Sequence, residues 1–94
     1  MTGKQKRKLR ALGHHLHAIV QVGHDGLTDG VVGALEDALK KHELVKVQIA
    51  DEREARHAAA LELAKRTGAE LAQELGRTAL FFRKKEKKSK FEDL

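Results

Sequence analysis

The chain has 94 residues, 40% apolar and 35% charged, with a formal net charge of +5, no cysteine and no proline. That length makes one domain burying about 60–65% of the surface its unfolded chain exposes, and without thiols there is neither a disulfide framework nor a thiolate metal site. No apolar run approaches the ~18 residues of a membrane span and the basic N-terminus leads into no apolar signal core, so a cytoplasmic protein with no membrane partner is expected.

Thr2 and Gln5 form a capping box, and Leu9, Leu12 and Leu16 follow at helical spacing, which predicts a first helix over 3–13 with Gly13 as its C-terminal stop. "HAIVQV", 17–22, is short, apolar and β-branched, a buried strand. Gly23 and Gly26 follow. Thr28 is an N-cap, Leu27 can staple onto Val32, and Val31, Leu35, Ala38 and Leu39 give one apolar face, so a second helix runs to about His42. Lys40, Lys41 and His42 suit its C-terminal dipole. "LVKVQIA", 44–50, turns Val45, Val47 and Ile49 inward, a second strand. Asp51 and Glu54 form a further capping box, opening a third helix that ends at Thr67–Gly68, where Ala58, Ala59 and Ala60 predict close approach to a neighbour. "AELAQEL" and "TALFFR" are two strands around a tight turn at Gly76–Arg77. The order α-β-α-β-α-β-β with two β-α-β crossovers predicts an α+β fold, a two-layer sandwich on a four-stranded mixed sheet with the first helix added to it. Residues 84–94 lack apolar periodicity and are expected to be a basic, disordered tail on a single domain of residues 1–83.

Catalysis and cofactor binding find little support. The only serine, Ser89, lies in the charged tail, so no nucleophile sits on a rigid element beside a base. His14, His15 and His17 cluster without the carboxylate or cysteine partners and fixed spacing that zinc requires. The glycines match no nucleotide-binding loop. No enzyme, metal or cofactor is expected.

The Gly23-His24-Asp25-Gly26 loop admits two readings. The first N–H groups of the second helix, those of Asp29, Gly30 and Val31, point back at the loop, and the helix dipole there favours an anion. Glycine at both ends lets a sugar-phosphate backbone approach, as in the GxxG clamp of KH domains. The other reading is a plain strand-to-helix turn. Asp25 at the tip repels phosphate, and His24 offsets it only when protonated.

Four parts in order carry a resemblance: a basic first helix, "VGHDGLT", "ALKKHELVKV" and a final "GRTALFFR". Over about residues 2–83 the chain resembles the CRM domain (chloroplast RNA splicing and ribosome maturation), in its small stand-alone bacterial YhbY-type form. The resemblance implies an RNA-binding domain with a fold similar to the C-terminal domain of the third bacterial initiation factor. It also implies association with precursors of the large ribosomal subunit, through Gly23, His24, Asp25, Gly26 and neighbouring basic residues. Many relatives carry a basic residue inside the loop where this chain has His24 and Asp25. That departure shifts weight onto Lys6, Arg7 and Arg10 and onto Arg77, Arg83, Lys84 and Lys85.

Charge distribution agrees. Residues 1–10 hold five Lys/Arg and no acid, 83–94 hold six against three, and 11–82 hold eight against eleven, so the ends carry +8 and the body −3. A polyanion is gripped from the ends. Aromatic residues are Phe81, Phe82 and Phe91 only, too few for base stacking, and successive strand residues point to opposite faces. Phosphate and shape readout of structured RNA is therefore expected, with steep salt dependence. The function expected is a monomeric, non-catalytic assembly factor on large-subunit rRNA in a pre-ribosomal particle. The alternative is a protein-interaction adaptor whose basic termini contact an acidic partner.

Overall fold

A computed structural model describes residues 1–94. Its elements are α1 (Gly3–Gly13), β1 (Ala18–Val22), α2 (Asp29–His42), β2 (Leu44–Ile49), α3 (Arg53–Thr67), β3 (Glu70–Leu75) and β4 (Thr78–Phe82). The sheet order is β1-β2-β4-β3, with β1 parallel to β2 and both pairs involving β4 antiparallel. The fold is α+β on a four-stranded mixed sheet.

Local chemistry explains most boundaries. Gln5 N–H donates to Thr2 Oγ1 at 3.1 Å and Thr2 N–H to Gln5 Oε1 at 2.8 Å, closing the capping box of α1. Thr28 Oγ1 accepts from Val31 N–H at 3.2 Å and starts α2. The opening of α3 differs from expectation: its N-cap is Glu52, with no side-chain cap bond. Two adjacent acids leave the start ambiguous by one residue, and Arg56, donating to the Asp51 carbonyl at 2.6 Å, holds Asp51 outside the helix. Gly13 also has another role than a stop. The chain leaves α1 through His14 in right-handed conformation, and a Cβ at Gly13 would lie 2.5 Å from Leu80 Cδ2. Glycine is there so that α1 can lie close against β4.

Strand alternation builds two cores. Val20, Val22, Val45, Val47, Ile49 and Phe81 face α2 and α3 and pack with Leu35, Leu39, Ala60 and Leu63. On the opposite face Leu44, Ala72, Leu80 and Phe82 receive Leu9 of α1. Phe81 and Phe82 are thus buried in different cores, leaving neither to stack on a base. Of the leucine series in and after α1 only Leu9 is buried; Leu12 and Leu16 are exposed.

Residues 84–94 carry no helix or strand, as their sequence implies, and several of their groups contact the body of the domain. Phe91 packs edge-on against Phe82 with ring centroids 5.2 Å apart. Glu43, fully buried, accepts from Lys85 N–H at 2.9 Å, Ser89 Oγ–H at 2.5 Å and Lys90 N–H at 2.8 Å. One ring and one buried carboxylate more than forty positions upstream make this anchor, and neither leaves a periodic trace.

Candidate nucleic-acid interface

The Gly23–Gly26 loop is a tight turn: Gly26 N–H donates to the Gly23 carbonyl and Thr28 N–H to the Gly26 carbonyl, both at 3.1 Å. Gly26 has φ +75°, which an L side chain rarely adopts. A Cβ at either glycine would meet nothing within 4 Å, so the loop backbone stands clear of the body. Thr28 takes the Val31 N–H, which leaves the N–H groups of Asp29 and Gly30 at the α2 terminus for an outside acceptor.

Two backbone bonds decide what surrounds this loop. Ala50 N–H donates to the Val22 carbonyl at 3.0 Å and Ile49 N–H to the Arg77 carbonyl at 2.8 Å. They gather the loop, the start of α3 and the β3–β4 turn at one end of the sheet. His24, Arg56 and Arg77 line a hollow of about 430 Å³ there, beside Asp51 and Glu52. An adjoining hollow of about 340 Å³ shares Arg56 and Arg77 and adds Arg53 and Glu74. Glu74 is occupied by His57, Nδ1 to Oε1 at 2.7 Å. Arg53 and Arg77 make no side-chain hydrogen bond, while Arg56 uses one N–H on the Asp51 carbonyl. Guanidiniums held open beside a glycine turn can take phosphate oxygens in bidentate fashion.

Lys6, Arg7 and Arg10 are elsewhere. α1 rests on Leu44 and Phe82, at the start of β2 and the end of β4, the opposite end of the sheet from the loop. The tail joins them there. Lys8 pairs with Asp93, Lys84 Nζ donates to the Glu92 carbonyl at 3.1 Å and Lys85 Nζ to the Lys41 carbonyl at 3.4 Å. Lys84 and Lys85 also converge with Lys40 of α2 around one hollow. The candidate residues thus form two basic zones, one at each end of the sheet.

Arg83 lines the same hollow as Lys84 and Lys85, but its guanidinium is engaged within the fold. Its guanidinium donates to Glu36 Oε1 at 2.6 Å, to Glu36 Oε2 at 3.0 Å and to the Thr67 carbonyl at 2.6 Å. The hydrogen bond from Arg83, opposed by burial, holds the Glu36 carboxyl below its ordinary range, and Glu36 raises Arg83 in turn. Arg83 clamps α2 to the end of α3. Arg53 and Arg56, by contrast, escape sequence reasoning: on a helix rich in both signs they look like a solvated face, and only the topology sets them beside the glycine loop.

The architecture defines a small α+β sandwich with a glycine turn before its second helix. Residues 1–83 match the family model of the CRS1 / YhbY (CRM) domain. A Pseudomonas aeruginosa protein named a probable RNA-binding protein is 42% identical over 91 residues, covering 96% of this chain and 88% of that one. A Bacillus subtilis protein of the same description is 34% identical over 93 residues, covering 98% and 97%. The solution structure of a hypothetical Staphylococcus aureus protein matches with a TM-score of 0.84 at 31% identity, covering 95% of this chain and 94% of that one. The chain belongs to the CRS1/YhbY (CRM) domain family.

Proposed function

We propose that the protein binds structured RNA, specifically large-subunit rRNA in a ribosomal precursor, as a non-catalytic assembly factor. The observation that carries this reading is the open glycine turn with Arg56 and Arg77 beside it and Arg53 in the adjoining hollow. The names of the bacterial relatives support RNA as the ligand. Contact is to the backbone: both sheet phenylalanines are buried and Phe91 is packed on Phe82, so no stacking platform exists. The loop supplies close approach and two helix-terminal N–H donors, the arginines beside it supply charge, and α1 with the tail lysines supplies a second grip. A longest extent of 36 Å keeps both zones within reach of one folded RNA.

Electrophoretic titration of the purified protein against deproteinised large-subunit and small-subunit rRNA tests this. Tighter binding to the large-subunit transcript is expected. Failure to bind either RNA would overturn the proposal in favour of an adaptor that recognises protein.

A further inference from the structure

We propose that the groove between the C-terminal end of α1, the first halves of β1 and β2, and the tail docks an acidic protein segment that carries large aliphatic anchors. Leu12, Leu16 and Ile19 are 43%, 37% and 56% exposed. With Leu44 and Phe91 they line one concavity of about 430 Å³. Isolated apolar side chains are ordinary on a surface, whereas a contiguous concave set marks an interaction site. Its rim is basic: Lys46 and Lys90 border it together with His17 and His42, and no carboxylate does. Neither lysine side chain is engaged in a hydrogen bond or ion pair within the protein, so both charges are unspent.

Those features choose the class of partner. A nucleotide base is held by stacking on an aromatic face or a guanidinium. The groove contains no arginine, its one phenyl ring, Phe91, is committed edge-on to Phe82, and its two imidazoles, His17 and His42, stand among aliphatic side chains that offer a base no second stacking face. Aliphatic walls instead match Leu, Ile or Val anchors inserted from a peptide, and the basic rim matches Asp or Glu flanking them. The groove is lined by none of the glycine-loop residues nor by Arg53, Arg56 or Arg77, and of the second basic zone it shares only the end of α1 and the tail around Lys90.

A random peptide display library panned on the full chain, with counter-selection on Ile19→Asp, tests the proposal. The expected result is enrichment of acidic peptides with spaced aliphatic residues, which bind Ile19→Asp about tenfold more weakly or worse. Amide NMR shifts should centre on Leu16, Ile19, Leu44 and Phe91. Leu12→Ser, checked like Ile19→Asp for folding by circular dichroism, should weaken the same peptides, while Arg53→Ala/Arg56→Ala/Arg77→Ala should not. No enrichment, enrichment of basic peptides, or equal binding to both groove variants would overturn the proposal. So would an oligouridine that moves the groove resonances when the peptides do not, which would give the groove to RNA.

Discussion

Replacing Glu43 by Gln keeps the side chain's shape and removes its charge. The buried carboxylate receives two donors on Oε2 and one on Oε1. An amide offers a single acceptor oxygen and turns its own N–H groups toward donors, so at least one tail N–H is left facing another donor. Hydrogen bonds to a charged group contribute about 1.5–3 kcal/mol each, but their losses do not add, because the tail can detach and rehydrate. A net destabilisation of about 2–3 kcal/mol follows, out of the roughly 5–15 kcal/mol available to a domain of this kind. Urea unfolding at neutral pH measures it, and hydrogen exchange of the Lys85 and Lys90 amides localises it to the tail. Burial raises the Glu43 pKa, but the hydrogen bonds from Ser89, Lys85 and Lys90 outweigh burial and leave it below the ordinary 4.5. The stabilisation is therefore complete above that value and disappears as pH falls through the lower folded-state pKa. The gap between the parent and Glu43→Gln should close in acid. A gap under about 0.5 kcal/mol at neutral pH, the size of an ordinary surface change, would refute the anchor, and one independent of pH would refute its charge.

Three further outcomes follow from the geometry. Arg53→Ala/Arg56→Ala/Arg77→Ala and Lys6→Ala/Arg7→Ala/Arg10→Ala should each flatten the log–log salt dependence of RNA binding by about two to three units; an unchanged slope removes that zone from the interface. Arg83→Ala should cost about 1–2 kcal/mol of stability, discounted for partial exposure of the pair, and leave the salt slope alone; the reverse pattern would make Arg83 an RNA contact. Gly13→Ala sets about 1–3 kcal/mol of overpacking against Leu80 over a helix-propensity gain of about 1 kcal/mol, so calorimetry should show a lower Tm, and a higher one would mean that Leu80 simply swings aside.

What the sequence revealed was local. The Thr2–Gln5 box, the Thr28 cap and the alternation of Val45, Val47 and Ile49 act within a few residues, so they set α1, α2 and β2 before any tertiary contact is known. Where the signal was not local, it misled or was silent. Asp51 and Glu52 offer equivalent caps until Arg56 is seen holding the Asp51 carbonyl. Gly13 is a stop by position and a contact surface by packing. The Arg83–Glu36 clamp and the Glu43 anchor join residues far apart in sequence, so Arg83 reads as free charge and 84–94 as loose. The glycine loop was legible as a candidate. Its arginine surround depends on strand order, and the same order carries Lys6, Arg7 and Arg10 to the far end of the sheet.

Under the proposed function this domain holds large-subunit rRNA during assembly. In-cell ultraviolet crosslinking of the tagged full chain, followed by sequencing of the attached RNA, tests it most directly. Reads should concentrate in large-subunit rRNA from precursor particles and fall when Arg53, Arg56 and Arg77 are changed to Ala. Reads distributed like bulk cellular RNA would contradict it.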